Sequence, residues 1–214
     1  MRNTPLIIGA VAAALSLVIG AVLVTRFHAP EPPQQAASSG TVTSQAEEDG
    51  VTLGGPFNLE TTGGARFTDA DLAGKPYAIF FGFTYCPDVC PTTLNDLAGW
   101  MDELGPQAGA LRYVFVTVDP ERDDIETMTR YARAFSERII PLTGTPEEIE
   151  AILDAYKIYA AKVPLEDGDY TMNHTAAIYL MGADGGFADV ISYKDEAETA
   201  VRKLRALADA APVS

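Results

Sequence analysis

The run PYAIFFGFTY, Pro76 to Tyr85, constrains the fold more than any other stretch of the chain. No charge interrupts it, and apolar or aromatic side chains occupy both of its alternating faces. A strand that packs on one side alternates apolar with polar; a strand apolar on both faces must be covered on both. The chain therefore needs a sheet with a layer on each side. The downstream pattern supplies the layers. Leu94, Leu97, Ala98 and Met101 recur at helical spacing, which predicts a helix from Pro91 to about Leu104, with Pro91 at the first helical position. LRYVFVTVD is a second buried strand, and Asp123 to about Phe135 reads as a helix. IIPLTG is a short strand, and Thr145-Pro146-Glu147-Glu148 opens a further helix with a cap, a proline and two acids. HTAAIYLMG and GFADVISY are strands joined by ADGG, and Glu196 to Ala211 closes as an amphipathic helix. Upstream, PFNLETTGGARFTDADL predicts two short strands around Gly63-Gly64. The expected class is α/β, a central sheet flanked by helices with an N-terminal hairpin.

The remaining N-terminal residues do not belong to that domain. Leu6 to Val24 carries no charge and would span about 28 Å as a helix, close to the ~30 Å hydrocarbon core of a bilayer. The run is longer than the apolar core of a secretory signal, and no clean cleavage site follows it, so residues 1–27 are expected to be a single uncleaved transmembrane anchor. Residues 28–50 are rich in Pro, Gln, Ala, Ser and Gly without hydrophobic period and read as a flexible tether. Residues 51–214 form the folded domain. Weak flanking charge places the N-terminus in the cytoplasm and the domain outside. The expected location is a single-pass protein of an inner membrane with its domain on the periplasmic side; a mitochondrial inner membrane is less favoured, because the N-terminus lacks the arginines of a transit peptide. The chain has 214 residues and a formal net charge of −15, which argues against a nucleic-acid partner.

Only two cysteines are present, Cys86 and Cys90 in TYCPDVCP, directly after the buried strand and at a helix start. With so few, they are no disulfide scaffold. Unpaired N–H groups and the partial positive charge of a helix N-terminus favour thiolate over thiol. Thiolates are both nucleophiles and soft metal ligands, so the residues leave open a redox couple, a metal site and a lone structural disulfide. Phe81, Phe83 and Tyr85 are read as strand core and a wall around the sulfurs, and Trp100 as core. The one histidine of the folded part, His174, precedes a strand and is expected on a loop at a sheet end. Two cysteines and a histidine make a three-coordinate soft set suited to copper, whereas structural zinc would need a fourth ligand. Met172 is a weak soft donor or, more simply, core filler.

TYCPDVCP after an apolar strand, VTVDPERD at Val116–Asp123 and the lone histidine of HTAAIYL together resemble the Sco/SenC family. These are membrane-anchored, thioredoxin-like copper chaperones that help build the dinuclear copper centre of cytochrome c oxidase. The resemblance implies a thioredoxin-like core and one copper per domain, Cu(I) or Cu(II), on Cys86, Cys90 and His174. It implies the copper-binding oxidase subunit as a partner, together with other copper chaperones or thiol reductants. The chain would then be a metallochaperone and not an enzyme. The alternative is a thiol–disulfide oxidoreductase that keeps the oxidase cysteines reduced, with Cys86 as nucleophile and Cys90 as resolving thiol. Asp119 is expected to tune the site from outside the ligand set. Asn173 stands where the family often has an aspartate before the histidine, and Asp124 where it has threonine; Asp124 can cap the next helix. Arg122 is expected to pair with a neighbouring acid. A peroxidase is disfavoured, since Phe83 and Pro87 stand where a threonine would precede the nucleophile.

Overall fold

The computed structural model describes residues 52–166 and 168–211. The expected anchor and the whole of the expected tether lie outside the described residues. Among those described, no helix is long and apolar enough to cross a membrane.

Two short strands, β1 (Asn58–Thr61) and β2 (Ala65–Thr68), pair antiparallel around a turn in which Gly63 and Gly64 take φ of 79° and 76°. Only glycine enters that region without steric cost. β3 (Tyr77–Gly82) follows, with all six residues buried. Then come α1 (Val89–Leu104), β4 (Arg112–Thr117), α2 (Ile125–Arg133), β5 (Ile139–Leu142) and α3 (Pro146–Ala155). Next are β6 (Ala160–Pro164), β7 (Tyr170–His174), β8 (Ala177–Met181), β9 (Phe187–Ser192) and α4 (Ala197–Asp209).

The main sheet runs β5-β4-β3-β8-β9. β3, β4 and β5 are parallel, and β8 and β9 join antiparallel. Parallel neighbours need crossovers, which α1 and α2 provide, and right-handed crossovers stepping the same way across a sheet lie on one face. The rings confirm the layering. Phe80 stacks on Phe115 at 5.9 Å, and Phe115 meets Tyr131 of α2 at 5.9 Å. Phe81, one residue on and facing the other way, meets Tyr156 at the end of α3 at 5.3 Å. So β3 is apolar on both faces because helices cover both. Asp124 caps α2 by accepting from the Thr127 N–H at 2.8 Å, and Thr145 with Glu148 makes a capping box for α3.

Three expectations are corrected. Pro91 is the third residue of α1, which begins at Val89; the first four N–H groups of a helix have no intrahelical acceptor, so proline is equally harmless there. His174 is not on a loop: it ends a strand, β7, in a separate two-stranded sheet with β6 that was not anticipated. Tyr85 is not core: it is 61% exposed.

Candidate metal site

β3 delivers the chain to the site, and the cysteine loop starts where the strand stops. The Cys86 N–H donates to the Phe83 carbonyl at 3.4 Å, turning the chain. Asp88 stands at the N-cap of α1 but its carboxylate makes no cap. The Cys86 Sγ takes that role, accepting the Cys90 N–H at 3.3 Å. The loop is pinned from β4's end: buried Asp123 accepts from the Thr84 N–H at 3.1 Å, the Thr84 hydroxyl at 2.5 Å and the Thr117 hydroxyl at 2.7 Å. Burial pushes the Asp123 carboxyl up from its ordinary range, and the Thr84 and Thr117 hydrogen bonds pull against that. Asp123 is thus a loop anchor rather than a helix cap, which its place in the DPERD string did not reveal.

Cys86 is half-buried and Cys90 fully buried. Cys90 Sγ lies 3.4 Å from His174 Nε2. The ligand atoms of Cys86, Cys90 and His174 all fall within 4.8 Å of one another, and this is the one such convergence of His, Cys, Asp or Glu donors among the described residues. The other imidazole nitrogen, Nδ1, is 3.0 Å from the Thr175 carbonyl. A carbonyl only accepts, so Nδ1 carries the proton and Nε2 keeps a lone pair aimed at the sulfurs. The rings of Phe83 and Phe80 stand edge-on to the imidazole at 5.8 and 6.2 Å and fix its plane.

The two thiols are set apart electrostatically. The hydrogen bond from Cys90 is the main cause that lowers the Cys86 pKa to about 4, with the Cys90 and Asp88 backbone adding to it against burial. The same hydrogen bond, then burial, pushes Cys90 up. Cys86 is the thiolate and Cys90 holds the proton. Stability drawn from the Cys86 thiolate is complete above the ordinary thiol pKa of ~8.5 and is lost as pH falls through about 4. Iodoacetamide should therefore label one cysteine of the reduced, metal-free protein, Cys86, at a rate nearly flat from pH 8 down to about 5. Peptide mapping across pH checks this; a rate that climbs through pH 8–9 would contradict it.

Of the remaining site expectations, Asp119 touches none of the three donors. It accepts from Arg122 Nε at 2.6 Å and from the Tyr170 hydroxyl at 2.8 Å. Arg122 pairs with acids as expected. Asn173 is exposed, and the imidazole is oriented by the Thr175 carbonyl instead. Met172 packs half-buried against the core. Phe83 walls the site, whereas Phe81 faces Tyr156. Two residues not anticipated matter here. Gly82 lies against the Cys90 sulfur, leaving no room for a Cβ, and Thr175 sets the histidine tautomer through a backbone atom that residue identity does not encode. Two sulfurs and an imidazole nitrogen, joined by no fourth His, Cys, Asp or Glu donor among the described residues, fit a soft ion such as copper.

A SCO1/SenC family model matches residues 45–209. Human "Protein SCO1 homolog, mitochondrial" is 44% identical over 140 residues, covering 64% of this chain and 46% of that protein. "Protein SCO1, mitochondrial" of Saccharomyces cerevisiae is 37% identical over 156 residues, covering 72% and 53%. The chain spans about half the length of the curated relatives it matches. A solved structure of Bradyrhizobium japonicum ScoI with copper bound superposes with a TM-score of 0.67 at 44% identity, covering 72% of this chain and 99% of that one. The crystal structure of yeast Sco1 with copper bound gives 0.66 at 36% identity, covering 72% and 86%.

Proposed function

Because the chain belongs to the SCO1/SenC family, we propose that it is a copper metallochaperone, with Cys86, Cys90 and His174 holding one copper as cargo for the dinuclear copper centre of cytochrome c oxidase. The observation that carries this reading is the convergence of two sulfurs and a preset imidazole lone pair within 4.8 Å. Relatives solved with copper bound support it. Copper as Cu(I) suits the two sulfurs, and the imidazole extends the set toward Cu(II). With three protein donors, one side stays open for an incoming ligand of the acceptor, so transfer proceeds by exchange of donors. The acceptor is the copper-binding oxidase subunit, and upstream copper chaperones or thiol reductants load and reset the site. Residues 1–27 would anchor the protein, residues 28–50 would tether it, and the domain would work on the periplasmic side of an inner membrane. The curated relatives named mitochondrial point to the corresponding organelle membrane.

The test is copper titration of the reduced protein and of His174→Ala, followed by absorption and metal analysis. Wild type should take one copper per chain with a sulfur-to-Cu(II) charge-transfer band. His174→Ala should lose that band while its far-UV circular dichroism stays unchanged. A band that survives the substitution removes His174 from the ligand set.

The thiol asymmetry favours a second reading, thiol–disulfide exchange. The Cys86 thiolate would attack a client disulfide and release one client thiolate; Cys90, once deprotonated, would then displace the other. The products are a Cys86–Cys90 disulfide and a reduced client. Disulfide reduction that is insensitive to His174→Ala would favour this reading over copper delivery.

A further inference from the structure

The hairpin that carries His174 has little of its own to hold it. β6 and β7 pair only with each other, outside the main sheet, and their residues are half-buried or exposed. A lone two-stranded hairpin is marginal in water. Its neck near His174 is closed by the Thr175 N–H donating to the Tyr159 carbonyl at 3.0 Å and the Tyr159 N–H donating to the Thr175 hydroxyl at 3.1 Å. The far end, at Tyr170, is held by Arg122. Nη1 donates to the Tyr170 carbonyl at 2.9 Å and to Asp169 at 3.3 Å, and the guanidinium carbon lies 3.7 Å from the Tyr170 ring centroid. That same carbon lies 4.9 Å from the ring of Tyr85, the residue before Cys86. Nε donates to Asp119 at 2.6 Å, and the other Asp119 oxygen accepts the Tyr170 hydroxyl at 2.8 Å. One side chain thus touches both elements that carry the donors.

We propose that Arg122 is a positioning residue that clamps the His174 hairpin to the cysteine loop and sets how firmly the third donor is held against the two sulfurs. This rests on the reading of Cys86, Cys90 and His174 as ligands; Arg122 touches none of them. Arginine suits the task where lysine would not. Its plane offers two faces for Tyr85 and Tyr170 and a fork for Asp119 and the Tyr170 carbonyl. Arg122 Nη2 is buried without a hydrogen-bond partner, so the ring faces offset its desolvation. The Asp119 side chain is fully covered, and the Arg122 guanidinium is the cation that pairs with it there. The neighbouring Lys162–Glu121 pair, at 2.6 Å, is about half exposed and is a weak substitute. Because β6 and β7 pair only with each other, no peptide-ladder contact of the main sheet fixes the place of His174.

The test is a double-mutant cycle on the full-length reduced protein. Copper affinity is measured by chelator competition, and the Cu(II) band is recorded, for Arg122→Met with His174 present and in His174→Ala. With His174 present, Arg122→Met should lower affinity by roughly 10–100-fold, the range for a lost outer-shell partner, keep one copper per chain and shift the band. In His174→Ala it should change affinity by less than about twofold, because the clamp has no third donor left to place. Should Arg122→Met fail to fold, Tyr170→Leu, which leaves the Asp119–Arg122 pair, should give the same pattern. No effect with His174 present, or an equal loss in both backgrounds, overturns the clamp. If His174→Ala alone leaves affinity unchanged, the ligand assignment fails and the clamp with it.

Discussion

Serine at either cysteine should lower copper affinity by at least ~100-fold, beyond the roughly 10–100-fold cost of losing an outer-shell partner, but the two variants should differ in fold stability. A hydroxyl is a hard, protonated donor and replaces neither sulfur as a copper ligand. At position 86 it remains a good acceptor for the Cys90 N–H, the bond that the Cys86 sulfur now takes at 3.3 Å to start α1. The side chain is half-buried, so the hydroxyl also meets water. Near pH 4, where the Cys86 thiolate no longer adds stability, Cys86→Ser should melt close to the parent, and at neutral pH it should melt lower; the two serine variants are therefore compared near pH 4. Position 90 is fully buried against Gly82, with the Cys86 sulfur and His174 Nε2 as its side-chain partners, the latter at 3.4 Å. A shorter, more polar oxygen there leaves its hydrogen bond stretched, at a cost of about 1–3 kcal/mol. At ~2–4 °C per kcal/mol, Cys90→Ser should melt several degrees lower. Chelator competition and thermal melts of the metal-free variants check both statements. Equal melting temperatures would mean that the Cys90 sulfur is no part of the core.

What the sequence made legible followed from local rules. β3, β4 and the capped helices α2 and α3 announce themselves through apolar runs and cap residues, and each is found where the pattern placed it. Cys86, Cys90 and His174 were readable as a soft donor set because no other cysteine, and only one further histidine, competes for the role. The β6–β7 hairpin was not readable in the same way. AAKVP and YTMNH carry no buried apolar stripe: Ala160 and Met172 lean half-buried on the core, and Arg122 holds the far end at Tyr170. Its one signal was the Asp-Gly dipeptide at 167–168 between two short stretches, a recognised hairpin turn. The Arg122 clamp joins residues 48 positions apart, and the Thr175 carbonyl acts through the backbone; neither leaves a mark on a periodicity. Tyr85 misled because it ends an apolar run, yet the strand stops at Gly82 and the last aromatic turns out toward Arg122.

Gly82→Ala should disturb the site from beneath, without replacing a ligand. A Cβ built at Gly82 lies 2.8 Å from the Cys90 sulfur, 3.0 Å from Phe80 Cε1 and 3.1 Å from Phe115 Cε2. All three neighbours are fully buried, so none can swing into solvent. The strand cannot retreat either, because Gly82 is held in register with Thr117 of β4. The sulfur and the first turn of α1 must move instead. Overpacking of a filled core costs about 1–3 kcal/mol, which should lower Tm by several degrees. A donor displaced by more than ~0.5 Å leaves its working geometry, so copper affinity should fall with the stability. Gly99→Ala is the control. It lies on the exposed side of the same helix, and a Cβ there meets nothing within 4 Å. Alanine in a helix interior gains about 0.5–1 kcal/mol over glycine, so Gly99→Ala should raise Tm slightly and leave copper binding unchanged. A Gly82→Ala protein that melts and binds like the parent would show that α1 has room to shift, and that Cys90 is not wedged against β3.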